Sequence, residues 1–523
     1  MESATRTVSA GDDERRLAEL GYKQELDRKM SGFANFAISF TIISILSGAL
    51  TLYGVGLNYG GPMQQAIGWP IVSFFVIIVA LSMAELASAY PTAGGLYWWA
   101  SRLGGPAWGW FTGWFNLIGQ VAITAGIDYG AAIFTTALLN LVFGYSNDAH
   151  HIMYVYVAIL ALHATMNILS VRLVARLNDV SAYWHVIGVA VFALVLIVFP
   201  SEHQSVSYVF TTTLDNSGFS TIPFLFVFLL GFLQAQYTYT GYDASAHMSE
   251  ETREASKAAA KGVVNSVLVS AVAGYVLILA LTFSIKDLGK VADAGTFAVI
   301  EVLQQALGKG GAEFLLFIAV GGQLFCGMSA ITSASRMLYA FSRDRAVPGW
   351  SRWSKLNHNR VPANAVILIA VLAFLLAAPA WSSNTAFVYV AVTSVATIGL
   401  YVAYILPIYL RFRAGDSFDP GPFSLGRKHR VLNVLAMLWV AFICILFILP
   451  TTPTAVPWND EFDYKTLNYA PIVFGVTIAL VAAWWKISAH KWFKGPIRTI
   501  DELGLSPDDP VTAAAPASEP RPA

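Results

Sequence analysis

Long apolar runs recur along the chain, separated by short polar stretches. They start near Phe33, Ile67, Trp108, Met153, Val180, Ile222, Gly262, Ala312, Val361, Asn384, Val431 and Tyr469. A helix needs about 20 such residues to cross the hydrocarbon of a bilayer. Lipid leaves no partner for an open strand edge, so runs of this length predict helices. A β-barrel would show segments of about ten residues alternating in polarity, and this chain does not. The pattern predicts an all-α integral membrane protein of about twelve spans. Residues 1–32 form a polar N-terminal segment, 33–410 hold spans one to ten, and 411–490 hold spans eleven and twelve. The Pro-, Ala- and Asp-rich stretch 491–523 is expected to be a disordered tail.

Composition agrees. Of 523 residues 56% are hydrophobic and 12% charged, where a soluble protein carries roughly 25% charged. The mean hydropathy is +0.58, so the bilayer is the solvent for most side chains. The formal net charge is zero, which gives no field for nucleic acid. Cys326 and Cys444 both sit in apolar runs and supply neither a disulfide framework nor a metal set; they read as core residues. The first 30 residues are charged (Asp12, Asp13, Glu14, Arg15, Arg16) and lack the short apolar stretch of a signal peptide. The first long run is therefore expected to act as its own insertion signal. Twelve crossings put both ends on one side. With the ends in the cytoplasm, the outer loops hold four of the 32 Lys and Arg residues: Lys286, Lys290, Lys309 and Lys465. Basic residues favour the inner side, so both termini are expected to be cytoplasmic, in the cell membrane.

Transporters place binding sites where membrane helices are interrupted and backbone groups are freed. Two spans carry the signs of interruption. Span one has Ser47-Gly48 near its middle, and span six has Gly241 beside Asp243. Each glycine alone fits close helix packing as well. Their positions, spans one and six, are those that an inverted repeat of five plus five helices would interrupt; spans eleven and twelve would lie outside the repeat.

Longer motifs carry a family resemblance. ALSMAELASAYPTAGGLYWW at 80–99 and SRMLYAFSRD at 335–344 resemble the signatures of the amino acid–polyamine–organocation (APC) superfamily. GYKQEL at 21–26 and GYDASAH at 241–247 resemble its amino acid/choline branch, which includes 4-aminobutyrate (GABA) and choline permeases. The resemblance covers about residues 21–490. It implies the LeuT-type fold and secondary active transport. The residues alone agree: Pro91 and Gly94-Gly95 end span two and turn the chain. Glu85 and Arg102 lie near that turn, either as an inner gate or as interfacial charges paired with their own loop. Arg336, Arg343, Arg345 and Asp344 read as structural.

By the same resemblance, a substrate carboxylate meets backbone N–H groups freed at residues 47–49, at the positive end of a half-helix. Its amino group meets carbonyls around Ser44 and Tyr239–Thr240. The expected binding residues are Ser44, Ser47, Gly48, Ala49, Tyr239, Thr240 and Gly241. Asp243 has three readings: a helix N-cap, a contact for a substrate ammonium, or a carrier of the coupling proton. Asp128, near the middle of span three, reads either as a grip for a distal ammonium or as a hydrogen-bond partner of a neighbouring helix. Tyr237, Tyr239 and Tyr242 offer aromatic faces to a cation or simply pack.

Some proton-coupled relatives place a Lys of span five in the gap between spans one and eight. Aligning Arg176-Leu177-Asn178-Asp179 with the start of span five puts His185 at that position. Histidine titrates near neutral pH, so His185 is a candidate for the coupling proton, with Ser329, Thr332 or Ser333 of span eight nearby; a satisfied core histidine is the alternative. His163 and His247 read as structural. The expected activity is import of an amino acid, 4-aminobutyrate or choline by proton symport, with amino acid exchange as the alternative. A channel would favour a pore lined by rings of charge. An enzyme would need a nucleophile–base pair or a metal motif; the chain offers neither, and no cofactor or metal is expected.

Overall fold

A computed structural model describes residues 10–21, 24, 28–169, 171–381 and 385–497. Most of the 21–26 motif and the tail beyond 497 lie outside the described residues. Among the described residues eleven helices are long and apolar enough to cross a membrane. In chain order, span one is Gly32–Ala49, two Gly61–Ala89, three Pro106–Phe143, four Ala149–Leu169 and five Arg176–Val198. Span seven is Ala255–Phe283, eight Gly295–Arg343, nine Ala363–Trp381, ten Ala386–Ser417, eleven Gly426–Ile448 and twelve Ala470–Trp492. The sixth crossing is in pieces. An apolar stretch, Phe224–Thr238, stops short, and a single turn, Ala244–His247, resumes after a non-helical gap. Span eight bends at Gly308, whose φ of 70° lies in the left-handed region that glycine tolerates. The crossing proper therefore begins close to Ala312, where the apolar run predicts it.

Burial sorts the spans into a centre and a rim. Span three has 94% of its most apolar window buried and span twelve 17%. Span three packs against spans eight and ten, and span seven against spans one and two. Spans four, five, nine, eleven and twelve turn Leu162, Ile187, Val371, Leu438 and Leu480 outward. A continuous outer surface of large apolar side chains fits lipid and not water. Local signals start and stop these helices. Ser31 caps span one by accepting from the Ala34 amide at 3.1 Å. Pro106 opens span three, and Gly144 closes it with φ 73°.

The described N- and C-terminal segments lie on one face. The helix Ala10–Glu19 sits against the end of span two, where Arg16 donates to the Ala89 carbonyl at 3.0 Å. Asp13 accepts from the Glu254 and Ala255 amides at 2.6 and 3.1 Å, capping span seven. At the other end, Phe493 is buried against Trp110 and Phe341. The Ile497 amide donates to Asp344 at 2.8 Å. Within the stretch expected to be a tail from 491 onward, Phe493 fills an aromatic pocket and the Ile497 amide is tied to Asp344, while Trp492 is exposed.

Candidate functional site

Span one breaks at Ser44, three residues before the Ser47-Gly48 pair. Its α-helix runs Gly32–Ile43 and Ser44 takes φ 25°, ψ 90°, a strained geometry for a residue with a side chain. A wider turn, Ile45–Ala49, follows. The freed groups differ from those expected. The amides of Ser47 and Gly48 both donate to the Ser44 carbonyl, at 2.8 and 3.1 Å, so they are occupied. Side chains from two other spans clamp the break. Gln323 donates to the Leu46 carbonyl at 3.0 Å and Cys326 to that of Ile42 at 3.2 Å. The Ser44 hydroxyl lies 2.8 Å from His185 Nε2. His185 Nδ1 lies 2.8 Å from the Ser181 carbonyl, which can only accept. Nδ1 therefore carries the hydrogen, and Nε2 accepts from Ser44.

His185 thus sits at the break of span one, as the alignment expects. The hydroxyls expected beside it do not. The part of span eight near His185 Nε2 is Gly322. Ser329 and Thr332 are two or more turns further along; Thr332 donates to Asn167 at 2.6 Å and Ser329 to the Phe325 carbonyl at 3.0 Å. Ser333 lies in the same turn as they do, its buried hydroxyl without a hydrogen-bond partner among the described residues. The helical rise of 1.5 Å per residue separates them from the histidine. Ser329 and Thr332 instead line a cavity of ≈ 760 Å³ on the face of the chain ends, with Lys29, Asn178, Arg336 and His358.

Span six breaks over residues 239–243. Gly241 has φ 86°, and a Cβ there would lie 2.2 Å from Ile42 of span one. Its amide donates to the Tyr404 hydroxyl at 3.2 Å, which donates on to Asp243 Oδ1 at 2.7 Å. Asp243 Oδ2 accepts from Gln120 at 3.0 Å and lies 3.1 Å from His247 Nε2. Asp243 occupies the N-cap position, yet its side chain makes no cap bond. The cap reading therefore fails: three side chains from spans three, six and ten hold the carboxylate away from the helix start. The Tyr239 carbonyl accepts from Tyr401 at 2.7 Å, and its hydroxyl meets Ser73 at 2.6 Å. Tyr239 is thus committed to spans two and ten. Thr240 turns its hydroxyl back onto the Tyr237 carbonyl at 2.6 Å.

The two breaks face each other. A Cβ on Gly48 would meet the Thr238 backbone at 2.9 Å, and Gln234 donates to the Ala49 carbonyl at 3.0 Å. Between them and span three lie three buried groups without hydrogen-bond partners among the described residues: the Ser47 and Tyr237 hydroxyls and Asp128 Oδ2. The other Asp128 oxygen pairs with His163 Nδ1 at 3.0 Å, both side chains being fully buried. Span three makes room with glycine. Gly126 leaves space for the Tyr237 hydroxyl and Gly130 for that of Tyr389. The Tyr242 hydroxyl is also buried without a partner among the described residues.

Glu85 and Arg102 do not meet. Arg102 is exposed, whereas Glu85 is buried and pairs with Arg411 of span ten at 2.8 Å. It also accepts from the Leu425 amide at 2.9 Å. Sequence reading missed Gln120, Tyr404, Arg411 and the roles of His163 and His247. Only His247 carried a local signal, four residues after Asp243 on a helical turn; the others come from remote spans.

Comparison with known proteins shows the family of the chain. The amino acid permease family matches residues 30–478. The chain is 41% identical over 506 residues to the amino-acid permease BAT1 of Arabidopsis thaliana, covering 93% of this chain and 96% of that one. It is 43% identical over 509 residues to a BAT1 homolog of Oryza sativa subsp. japonica, with the same coverage of 93% and 96%. An uncharacterized amino-acid permease of Schizosaccharomyces pombe is 32% identical, covering 96% and 92%.

Proposed function

The chain belongs to the amino acid permease family, and from that premise we propose a proton-coupled importer that binds a small amine-bearing solute between the breaks of spans one and six. It is a multi-pass membrane transporter of amino acids, not an enzyme. The observation that carries the finer reading is the pair of facing breaks at Ser44 and residues 239–243, with unpartnered buried polar groups beside them.

In this reading the substrate carboxylate takes over the amides of Ser47 and Gly48 once the Ser44 carbonyl releases them, at the positive end of the half-helix. Its ammonium meets carbonyls around Ser44 and Thr240, with the Tyr237 and Tyr242 rings alongside. Asp128, bridged to His163, takes a distal ammonium such as that of 4-aminobutyrate or a basic amino acid. A choline-like solute has no carboxylate and would use only the cationic half. His185 supplies a coupling-proton seat. Protonated, its Nε2 becomes a donor, so the Ser44 hydroxyl must accept from it and turn its own hydrogen to another acceptor at the break. The face of the chain ends is cytoplasmic by the Lys and Arg bias, in the cell membrane. The pairs Glu85–Arg411 and Glu250–Arg343 close that face.

The test is radiolabelled uptake into proteoliposomes of alanine, lysine, 4-aminobutyrate and choline, with and without an imposed pH gradient. Accumulation above equilibrium only with the gradient supports symport. Uptake only after preloading with unlabelled solute would make the protein an exchanger. Equilibration alone would make it a facilitator. Asp128→Asn is expected to shift preference from lysine towards alanine at least about tenfold, a difference of roughly 1.4 kcal/mol in binding. An unchanged ratio would remove Asp128 from the site.

A further inference from the structure

Hydrogen-bond accounting around Asp243 and His247 leaves one contact that needs a proton. His247 Nδ1 faces the Ala93 carbonyl at 3.1 Å. A carbonyl only accepts, so Nδ1 bears a hydrogen. The Tyr404 hydroxyl receives the Gly241 amide and so points its own hydrogen at Asp243 Oδ1. Gln120 donates to Oδ2. What remains is His247 Nε2, which lies 3.1 Å from Oδ2 and 3.3 Å from the side-chain amide of Asn116, with the Asp243 and His247 side chains fully buried; a hydrogen on Nε2 turns the otherwise unpartnered Asn116 oxygen towards it. Without a hydrogen between Nε2 and Oδ2, two lone pairs would face each other inside the membrane. The hydrogen sits either on Nε2, giving imidazolium and carboxylate, or on Oδ2, giving two neutral groups. Both arrangements hold the same single proton and the same net charge of zero.

We propose that Asp243 and His247 form a second proton seat, and that its occupancy latches the turn between span two and the helix Gly95–Gly104. The inference rests on the symport reading above and adds a site to it. Loss of the proton leaves two outcomes. With the hydrogen kept on Nδ1, the Asp243 contact becomes repulsive. With the hydrogen moved to Nε2, the Asp243 contact survives and the Nδ1 lone pair turns against the Ala93 carbonyl. Either way one of the two bonds fails, and a net negative charge stays buried. Among the described residues no Lys or Arg is paired with either side chain. The titratable groups facing it are Tyr404 and Tyr401 of span ten and Tyr242 of span six, with Gln120 and Asn116 from span three. A buried, uncompensated charge is expensive, so release of the proton favours opening to water.

The turn that His247 holds is a gate element. The Ala93 amide donates to Glu250 Oε1 at 2.9 Å, and Arg343 lies 3.9 Å from the same oxygen. The latch therefore links the substrate end, through Asp243, Tyr404 and the Gly241 amide, to the face of the chain ends, through Ala93 and Glu250. Binding at the break and opening of that face share one proton.

The test uses the full chain in proteoliposomes and reads protons moved per substrate, with a pH-sensitive dye, beside counterflow of preloaded substrate. His247→Gln is expected to lower gradient-driven accumulation at least tenfold relative to its own counterflow rate and to flatten the pH profile. Asp243→Asn, which puts an amide donor where the proton sat, is expected to give the same flattening. Normalising to counterflow removes any loss of folded protein. A His247→Gln protein with the wild-type proton ratio and pH profile would overturn the latch, while His185→Ala could still be uncoupled. A wild-type protein that never accumulates substrate on a pH gradient would instead overturn symport itself, and the latch with it.

Discussion

Ser44 shows how much of this protein turns on single residues. Its φ of 25° is unusual for a residue with a side chain, and three bonds keep it there: two amides on its carbonyl and His185 on its hydroxyl. Replacing His185 by Ala removes the acceptor and the titratable group together. Uptake by this variant is expected to lose the part of its pH dependence that His185 carries, and a wild-type pH profile would reject the assignment. Gly241 is constrained in the opposite sense, since its φ of 86° and the nearness of Ile42 exclude a side chain. Gly241→Ala is expected to cost roughly 1–3 kcal/mol of strain, seen as a lower thermal midpoint with loss of uptake. A variant with the wild-type midpoint would mean the break relaxes without cost. Asp243 needed its surroundings to be understood. The residue type at a helix start suggests a cap, and only Gln120, Tyr404 and His247 show why the side chain does not make one.

At the scale of elements, the four half-helices around the breaks pair off. The first half of span one is tied to the restart of span six: Asn35 donates to the Ser245 carbonyl at 2.9 Å and Ser245 returns a bond to the Asn35 carbonyl at 2.9 Å. Ser39 adds a bond to the Tyr242 carbonyl at 2.9 Å. The other two halves are joined by Gln234 and by the Gly48–Thr238 contact. Such pairing suits alternating access in which one pair of halves rocks against the rest. Span ten is fastened to span two by the buried Glu85–Arg411 pair. Arg411→Ala leaves Glu85 buried without its counter-charge, and the expected loss is about 3–5 kcal/mol. Replacing both, as Glu85→Gln with Arg411→Met, should restore most of it. Thermal midpoints of the purified variants decide this, and a double variant no better than the single would contradict the pairing. The motif at 80–99 placed Glu85 at the end of span two, but its cation lies 326 positions away, beyond any local pattern.

Across the whole molecule, the described N- and C-terminal segments are fastened to one face. Asp344 follows span eight and accepts from Tyr97 and from the Ile497 amide. Burial pushes its carboxyl up to about 6, against the pull of Arg343. A folded value above the ordinary 3.8 means that the folded protein holds this proton more tightly than the unfolded chain does. The stabilisation is complete below the ordinary value and is lost as pH rises through about 6. The thermal midpoint is therefore expected to fall as pH rises from about 4 to about 6, and to fall less in Asp344→Asn. Equal slopes in both proteins would exclude this carboxyl as the cause. Docking of residues 493–497 beside Tyr97 also places the C-terminal segment next to the turn that His247 holds.

The apolar runs alone determined that this is a helical membrane protein of about twelve crossings and roughly where each lies, and the Ser47-Gly48 and Gly241/Asp243 signals pointed to interruption of the first and sixth. Those properties follow from the cost of leaving backbone groups or charges in lipid, which acts on every residue and is written locally. The long motifs added the family for the same reason, as contiguous strings. The tertiary structure decided the rest. It moved the first break from Ser47 to Ser44, because Gln323, Cys326 and His185 clamp the chain there. It separated Glu85 from Arg102, took Ser329, Thr332 and Ser333 away from His185, and brought His163 to Asp128 and Tyr404 to Asp243. These are partnerships between spans tens to hundreds of residues apart, and hydrophobic periodicity carries no information about which polar side chains meet once the helices pack.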